Sequence, residues 1–429
     1  MHSNRWCILL VLAVAAYLLI LSSYNLWSYF GIRHLGKAPF ADMQAILSAS
    51  DAYHDGFNPY IENPYDPLGR RHVYTRPWLW LGYIGITRKY NNLAATLLIG
   101  LFFLLCIKIL NPDNGKEFLI CAMLLLSPAV MLGVERANND LVIFGLLGLS
   151  VFLLHKRIRA LDWIAYSFLY LASILKIYPL VSFLIVLRTF KDNRKLLAFS
   201  LFSMFLLGTY MAFTLSDLQY LKAVVPRPHG ISTFGAAILF EWIFNQWPVS
   251  STAVTIMSGL AFFLAFLIAP KIALAERRND SVHTFFFLVG SLNLLFCFFT
   301  NTNYDYRCVY FIMILPWLFE LLKCAATPTA TKRFINFLLI LLPLVVWNEA
   351  IISFIMLKLG APGISKVKMM ITINLYVIEH ISTWIVMTIL LSFCIELFKS
   401  PIRDRILAAF RNAPYYSETN KKRELALKN

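Results

Sequence analysis

Apolar residues arrive along this chain in runs of about 18–24, the length that crosses a hydrocarbon core of roughly 30 Å. That pattern limits the chain to a polytopic, all-α membrane protein. The composition agrees: 59% of the 429 residues are hydrophobic and only 14% are charged, against about 45–50% and about 25% in soluble domains. A soluble enzyme, a disordered chain and a nucleic-acid module are excluded on these grounds. The formal charge of +16 resembles a nucleic-acid signal, but its placement argues otherwise.

About twelve spans are expected: 6–27, 90–110, 117–133, 139–155, 160–175, 177–190, 196–214, 251–270, 282–299, 307–325, 334–357 and 372–398. The stretch 160–190 is divided at Lys176-Ile177-Tyr178-Pro179, because proline cannot continue the backbone ladder. With the N-terminus in the cytoplasm, the inner connections are short and basic, and they hold 24 of the Lys and Arg residues against 15 outside. This is the positive-inside pattern, so much of the charge is topological. Both termini are then cytoplasmic. Residues 1–399 form one membrane domain and 400–429 a basic cytoplasmic tail, whose 406–410 stretch is apolar enough to lie on the membrane surface. The first run follows Arg5 and is long for a cleaved signal peptide, so it is read as an uncleaved span. The seven cysteines lie mostly within apolar runs. They form no CxxC and are read as small buried hydrophobes.

The unusual polar clusters fall on the outer side. They are Asp42, Glu135 to Asp140, Lys176, Arg227 to His229 and Asn301 to Arg307. Ionisable groups at membrane depth are costly, so their recurrence on one side marks a site. In the long outer segment 28–89, Asp42, Ala45, Ile46, Ala49 and Tyr53 follow three-four spacing. They predict an amphipathic helix ending near Gly56, with its apolar face on lipid. The other long outer segment is 215–250. Arg136, Lys176 and Arg307, if they converge, suit a lipid-linked phosphate, since Arg binds its oxygens in a fork and Lys as a point charge. Plainer readings stand beside these. Asp42 can be a first-turn helix acid, Arg136 can pair with Asp140, Arg307 can pair with Asp305, and His229 can be an ordinary loop histidine. Trp78, Trp80, Trp242 and Trp247 suit either stacking on sugar or an interfacial belt.

These motifs resemble glycosyltransferase family 87 within the GT-C superfamily, which includes polyprenyl-phosphate-mannose-dependent mannosyltransferases. Asp42, the helix through Ala49 and Gly56-Phe57-Asn58-Pro59-Tyr60 are similar to that family's first-loop pattern. Glu135-Arg136-Ala137-Asn138-Asn139-Asp140 resembles a Glu-Arg-Gly-Asn-x-Asp element, with Ala137 in place of Gly. Leu175-Lys176-Ile177-Tyr178-Pro179 resembles Leu-Lys-x-Tyr-Pro. Asn303-Tyr304-Asp305-Tyr306-Arg307 resembles Asn-Tyr/Trp-Asp-Tyr-Arg. Val73 to Trp78 departs from the stretch expected there.

The resemblance implies a GT-C-type bundle in a plasma membrane, that of a bacterial inner membrane. It implies transfer of a hexose, mannose first, from a polyprenyl-phosphate sugar to a glycan or glycolipid on the outer face, with inversion. Asp42 would be the general base, and Arg136, Lys176, Arg307 and His229 would hold the donor phosphate. Asn138, Asp140, Tyr178, Asp305, Tyr306 and Tyr60 would contact sugar or acceptor. No carboxylate cluster is evident, so no cofactor or metal is expected; a divalent ion between Asp42 and the phosphate is the alternative. Rival readings are a transporter or flippase, for which Glu349, Glu379 and His380 in late spans are the suggestive residues, and a non-catalytic subunit of a glycan-assembly complex.

Overall fold

The computed structural model describes residues 3–21, 24–32, 39–156, 158–190, 192–228, 232–244, 251–272, 281–300, 302–358 and 365–411. Its helices in order are α1 (Ser3–Ile20), α2 (Ala41–His54), α3 (Asn91–Leu110), α4 (Gly115–Leu125), α5 (Pro128–Arg136), α6 (Asp140–His155), α7 (Arg159–Leu175), α8 (Val186–Thr189) and α9 (Asn193–Phe213). There follow α10 (Leu215–Val224), α11 (Ile238–Phe244), α12 (Ser251–Ile268), α13 (Val282–Thr300), α14 (Phe311–Lys323), α15 (Thr329–Val346), α16 (Asn348–Lys358) and α17 (Ser365–Arg411). Two-residue strands β1 (Thr233–Phe234) and β2 (Asn303–Tyr304) pair antiparallel. Each of the expected spans contains helix. Among the described residues six helices are long and apolar enough to cross a membrane, or seven if the bent α4–α5 pair is one span. Shorter apolar helices account for four more of the expected runs. The chain is a polytopic helical membrane protein.

Burial separates the inner helices from the outer ones. The apolar windows of Val282–Thr300 and Met369–Arg403 are 78% and 72% buried, whereas that of Asn193–Phe213 is 6% buried. On α9, Leu197, Leu201, Phe202, Met204 and Phe205 all face outward. Such a surface is stable only against hydrocarbon. The central helix α13 packs closely on the 305–323 segment because Gly290 carries no side chain: a Cβ there would lie 2.8 Å from the Tyr310 carbonyl oxygen.

Three expected boundaries are corrected. The run 117–133 is not straight. α4 stops at Leu125, Ser127 caps α5 with Pro128 at its first turn, and the pair is bent by 49°. A residue before proline is driven out of the helical region, which explains the break. The run 334–357 is divided at Trp347, whose indole donates to the Met123 carbonyl at 2.6 Å while Asn348 donates to Glu379 at 2.6 Å. The domain boundary at 399 cuts a continuous helix, since α17 runs on to Arg411 with Pro401 inside it. Arg405, assigned to the tail, is docked on Asn193 at 2.5 Å and on the carbonyls of Leu187 and Phe190. The expected break near Pro179 holds: α7 ends at Leu175, Lys176 is extended, and a 3-10 helix runs Tyr178–Ile185.

The predicted amphipathic helix forms as α2, but its apolar face packs on protein rather than lipid. Met43 and Leu47 meet Ala95 and Ala137, while Ala49 meets Tyr60, Leu79 and Leu221. The 3-10 helix Arg76–Ile84 lies against it, with Ser50 Oγ donating to the Leu79 carbonyl at 2.9 Å.

Candidate functional site

The start of α2 is fixed by Phe40, whose amide donates to the Glu135 carbonyl at 2.7 Å. Phe40 has φ 67°, a left-handed conformation that costs an aromatic residue energy and persists only where the surroundings enforce it. The next residues place Asp42 in the first turn of α2, 8% exposed. At the end of α5 the chain reverses through Ala137 (φ 44°), and the Asn138 amide reaches back to the Gly133 carbonyl at 2.9 Å. This is the cap position where glycine is usual. It gives a physical reason for the Gly that Ala137 replaces.

The reversal aims Asn138 at two partners. Its Nδ2 donates to Asp42 Oδ2 at 2.6 Å, and its Oδ1 accepts the Asp140 amide at 2.8 Å. Asp140, 1% exposed, is the anchor of the cations. Its Oδ1 accepts from Lys176 Nζ at 2.7 Å, Tyr178 OH at 2.7 Å and Arg307 at 2.5 Å. The Tyr178 and Tyr310 hydroxyls lie 2.5 Å apart. The Arg307 guanidinium sits 4.1 Å over the Tyr178 ring, and that of Arg136 sits 5.0 Å over Tyr304. The pairings expected from sequence are therefore not the ones formed. Arg307 pairs with Asp140 rather than Asp305, and the Arg136 partner is Glu135 at 4.0 Å rather than Asp140.

Asp42, Arg136, Lys176, Tyr178, Tyr306 and Arg307 line one cavity of about 1240 Å³. Nε of Arg136 and of Arg307 is closed off from solvent and has no hydrogen-bond partner. A buried charged donor left unsatisfied costs roughly 1–3 kcal/mol or more; both side chains line the cavity, so they are its candidates for holding an anion. Burial, reinforced by the Arg307 guanidinium, pushes the Lys176 ammonium down to about 8 even though Asp140 works the other way.

Other expected site residues lie elsewhere. Asp140 has its Oδ1 committed to the cations and does not line the cavity. Tyr60 is buried behind it, its hydroxyl donating to the Tyr74 carbonyl at 3.1 Å and its ring stacked on Tyr220. Asp305 is buried with its amide on the Ser232 carbonyl at 3.2 Å. His229 and Trp247 fall outside the described residues. Trp78 donates to the Leu175 carbonyl at 3.1 Å, and Trp242 is stacked on Tyr376 at 4.2 Å; neither lines the cavity, and nor does the exposed Trp80. Glu349 and Glu379 are bound within the protein: Glu349 accepts from the Ser232 amide at 2.6 Å and from Tyr376 OH at 3.1 Å, and Glu379 accepts from Asn348.

Residues the sequence reading missed also line the cavity. Arg70 lies 3.7 Å from Asp42 Oδ1 and is held by a bidentate pair with Asp66 at 2.8 and 2.9 Å. The four-residue spacing of Asp66 and Arg70 was the available signal. Tyr74 packs its ring 5.4 Å from the Lys176 ammonium. His72 is buried, and burial pushes its imidazole down to about 4, so it is neutral at ordinary pH. Its Nδ1 has no hydrogen-bond partner and is closed off from solvent.

No protein-family model matches the chain, and no curated protein does. A crystal structure of ArnT from Cupriavidus metallidurans in the apo state is similar to it, covering 90% of this chain and 78% of that one, at 11% identity and a TM-score of 0.35.

Proposed function

We propose that the protein is a membrane glycosyltransferase that moves a hexose, mannose first, from a polyprenyl-phosphate sugar to a glycan or glycolipid hydroxyl. The observation that carries this reading is the joint lining of one cavity by the Asp42 carboxylate and by Arg136, Lys176 and Arg307. The donor class is what the ordered motifs resembling family 87 imply.

In the transfer, the acceptor hydroxyl gives its proton to Asp42 as its oxygen attacks the anomeric carbon. The bond from that carbon to the phosphate oxygen breaks, and the electron pair stays on the phosphate. Prepositioned cations stabilise the charge that develops there, and Arg136, Lys176 and Arg307 line the cavity that would hold it. Asn138 orients Asp42, and Asp140 orients Lys176 and Arg307. Direct displacement with one base inverts the anomeric centre. Tyr306, which lines the cavity, is the candidate for bonding sugar hydroxyls. The positive-inside count supports an orientation with both termini in the cytoplasm and the cavity on the outer face.

The test is a purified-protein assay with a panel of labelled polyprenyl-phosphate sugars, reading donor consumption and product linkage. Asp42→Asn keeps an oxygen for the Asn138 amide, so it should fold normally and lose about 10²–10⁴-fold in turnover. Turnover near the native rate in that variant removes Asp42 from the role.

A further inference from the structure

The charges around the cavity divide into two sets. Deep in it, Arg70, Arg136, Lys176 and Arg307 are buried or half-buried, and each faces a carboxylate from Asp66, Glu135 or Asp140. With Asp42 included, the deep set is formally neutral. At the mouth, Arg71, Lys222 and Arg227 also line the cavity, are exposed, and pair with no carboxylate among the described residues. Their surplus is three positive charges.

This mouth is built rather than loose. Arg76 makes a bidentate pair with Asp217 at 2.6 and 2.7 Å, tying α10 to the first outer segment. The Tyr60–Tyr220 stack and Leu221 against Ala49 and Leu79 reinforce that docking. Lys222 is thereby held on the same cavity as Arg71. Outer-face loops are depleted in Lys and Arg by the topological rule, so unpaired cations gathered there are present against that bias.

Resting on the proposed transferase reading, we infer that the acceptor itself is anionic: it bears a phosphate or carboxylate that Arg71, Lys222 and Arg227 bind at the mouth while its hydroxyl reaches Asp42. The donor cannot satisfy this surplus. Its single phosphodiester charge belongs with the buried guanidinium groups, and the mouth cations remain. Exposed ionic contacts are individually weak, but several on one group together change affinity by about tenfold to a hundredfold. A positive mouth on a low-dielectric cavity also concentrates anions and makes their capture salt-sensitive.

The experiment uses the full-length protein in phosphatidylcholine nanodiscs. The probes are a monophosphorylated glycolipid and the same glycolipid after phosphatase treatment. The wild type should prefer the phosphorylated acceptor by about tenfold or more in kcat/KM, with the preference shrinking as salt rises from about 50 to about 300 mM. Arg71→Gln/Lys222→Gln/Arg227→Gln should bring that ratio towards one by raising the acceptor KM, with donor Kd unchanged. Equal use of both acceptors by the wild type overturns the inference, as does a triple variant that keeps the preference. Phosphatidylglycerol nanodiscs that abolish the preference by competition would assign the mouth to membrane headgroups and also overturn it. Direct binding of the two glycolipids, read by native mass spectrometry, separates this inference from the transferase reading. Phosphate-dependent binding lost in the triple variant, with no sugar transfer by the wild type, would retain an anion-reading mouth and reject the transferase.

Discussion

Replacing Asp140 with Asn tests the electrostatic core of the site. The side chain keeps its shape and a carbonyl oxygen, but the charge facing Lys176 at 2.7 Å and Arg307 at 2.5 Å is removed. At an effective dielectric constant near 20, each contact at about 3 Å carries roughly 5–6 kcal/mol of attraction before desolvation is subtracted. Two buried cations are then left facing each other. Breaking a buried pair in this way costs about 3–5 kcal/mol, a large part of the stability of a typical fold. Chemical denaturation in mixed micelles measures the loss. Asp140→Asn/Lys176→Met removes one cation with the anion, and should be less destabilised than the sum of the single changes by at least about 1 kcal/mol. Inorganic phosphate should stabilise Asp140→Asn more than the wild type, since an anion can take the place of the lost carboxylate. Stability of Asp140→Asn within about 1 kcal/mol of wild type would refute the reasoning that this carboxylate holds the cations in place.

Lys176 carries its charge below about 8 and loses it above, so transfer should be level at neutral pH and fall as pH rises through that value. Lys176→Arg stays charged throughout and should move the alkaline limb upward; an unmoved limb in kcat/KM profiles assigns it to another group. The folded value lies below the ordinary lysine value of 10.5, so the unfolded chain holds the extra proton in the window between them. Stability should therefore rise with pH across it, as denaturation at graded pH would register. Arg136→Gln should raise donor Kd about tenfold to a hundredfold with a smaller effect on acceptor KM, read in separate titrations. Ala137→Gly relieves roughly 1–2 kcal/mol of left-handed strain. It also removes a buried methyl worth about 0.8 kcal/mol and adds about 0.5–1 kcal/mol of unfolded-state entropy. The denaturation midpoint should barely change, and a loss above about 2 kcal/mol would mean that the methyl packs more tightly than the strain counts.

The sequence displayed local causes and hid distant ones. Pro179 announces the break after Leu175, and the three-four spacing after Asp42 announces α2. Trp347 does not announce the end of α15, because that break is held by the Met123 carbonyl and by Glu379. The gathering of Asp42, Arg136, Lys176 and Arg307 on one cavity agrees with the expectation that the unusual polar clusters meet. The pairing pattern was not legible. Asp305 and Arg307 are neighbours in the chain, yet a 3-10 turn sends Arg307 to Asp140, which lies far away in sequence. Arg70 is less legible, because its place is fixed by Asp66 together with the Ala41 carbonyl, 29 residues away in the chain. The packing of α2 on α3 and α5 rather than on lipid is likewise a tertiary fact. An apolar helix face looks the same whichever nonpolar medium covers it.

The helix that contributes least to the interior leads directly into the segment that frames the opening. α9 buries Phe199 and little else, and α10, which carries Asp217 and Lys222, follows it after a single residue. Acyl chains therefore act as the abutment on which this side of the doorway rests. Bilayer thickness and solubilising agent should alter access to the cavity through α9, without touching Asp42 or the cations that line it.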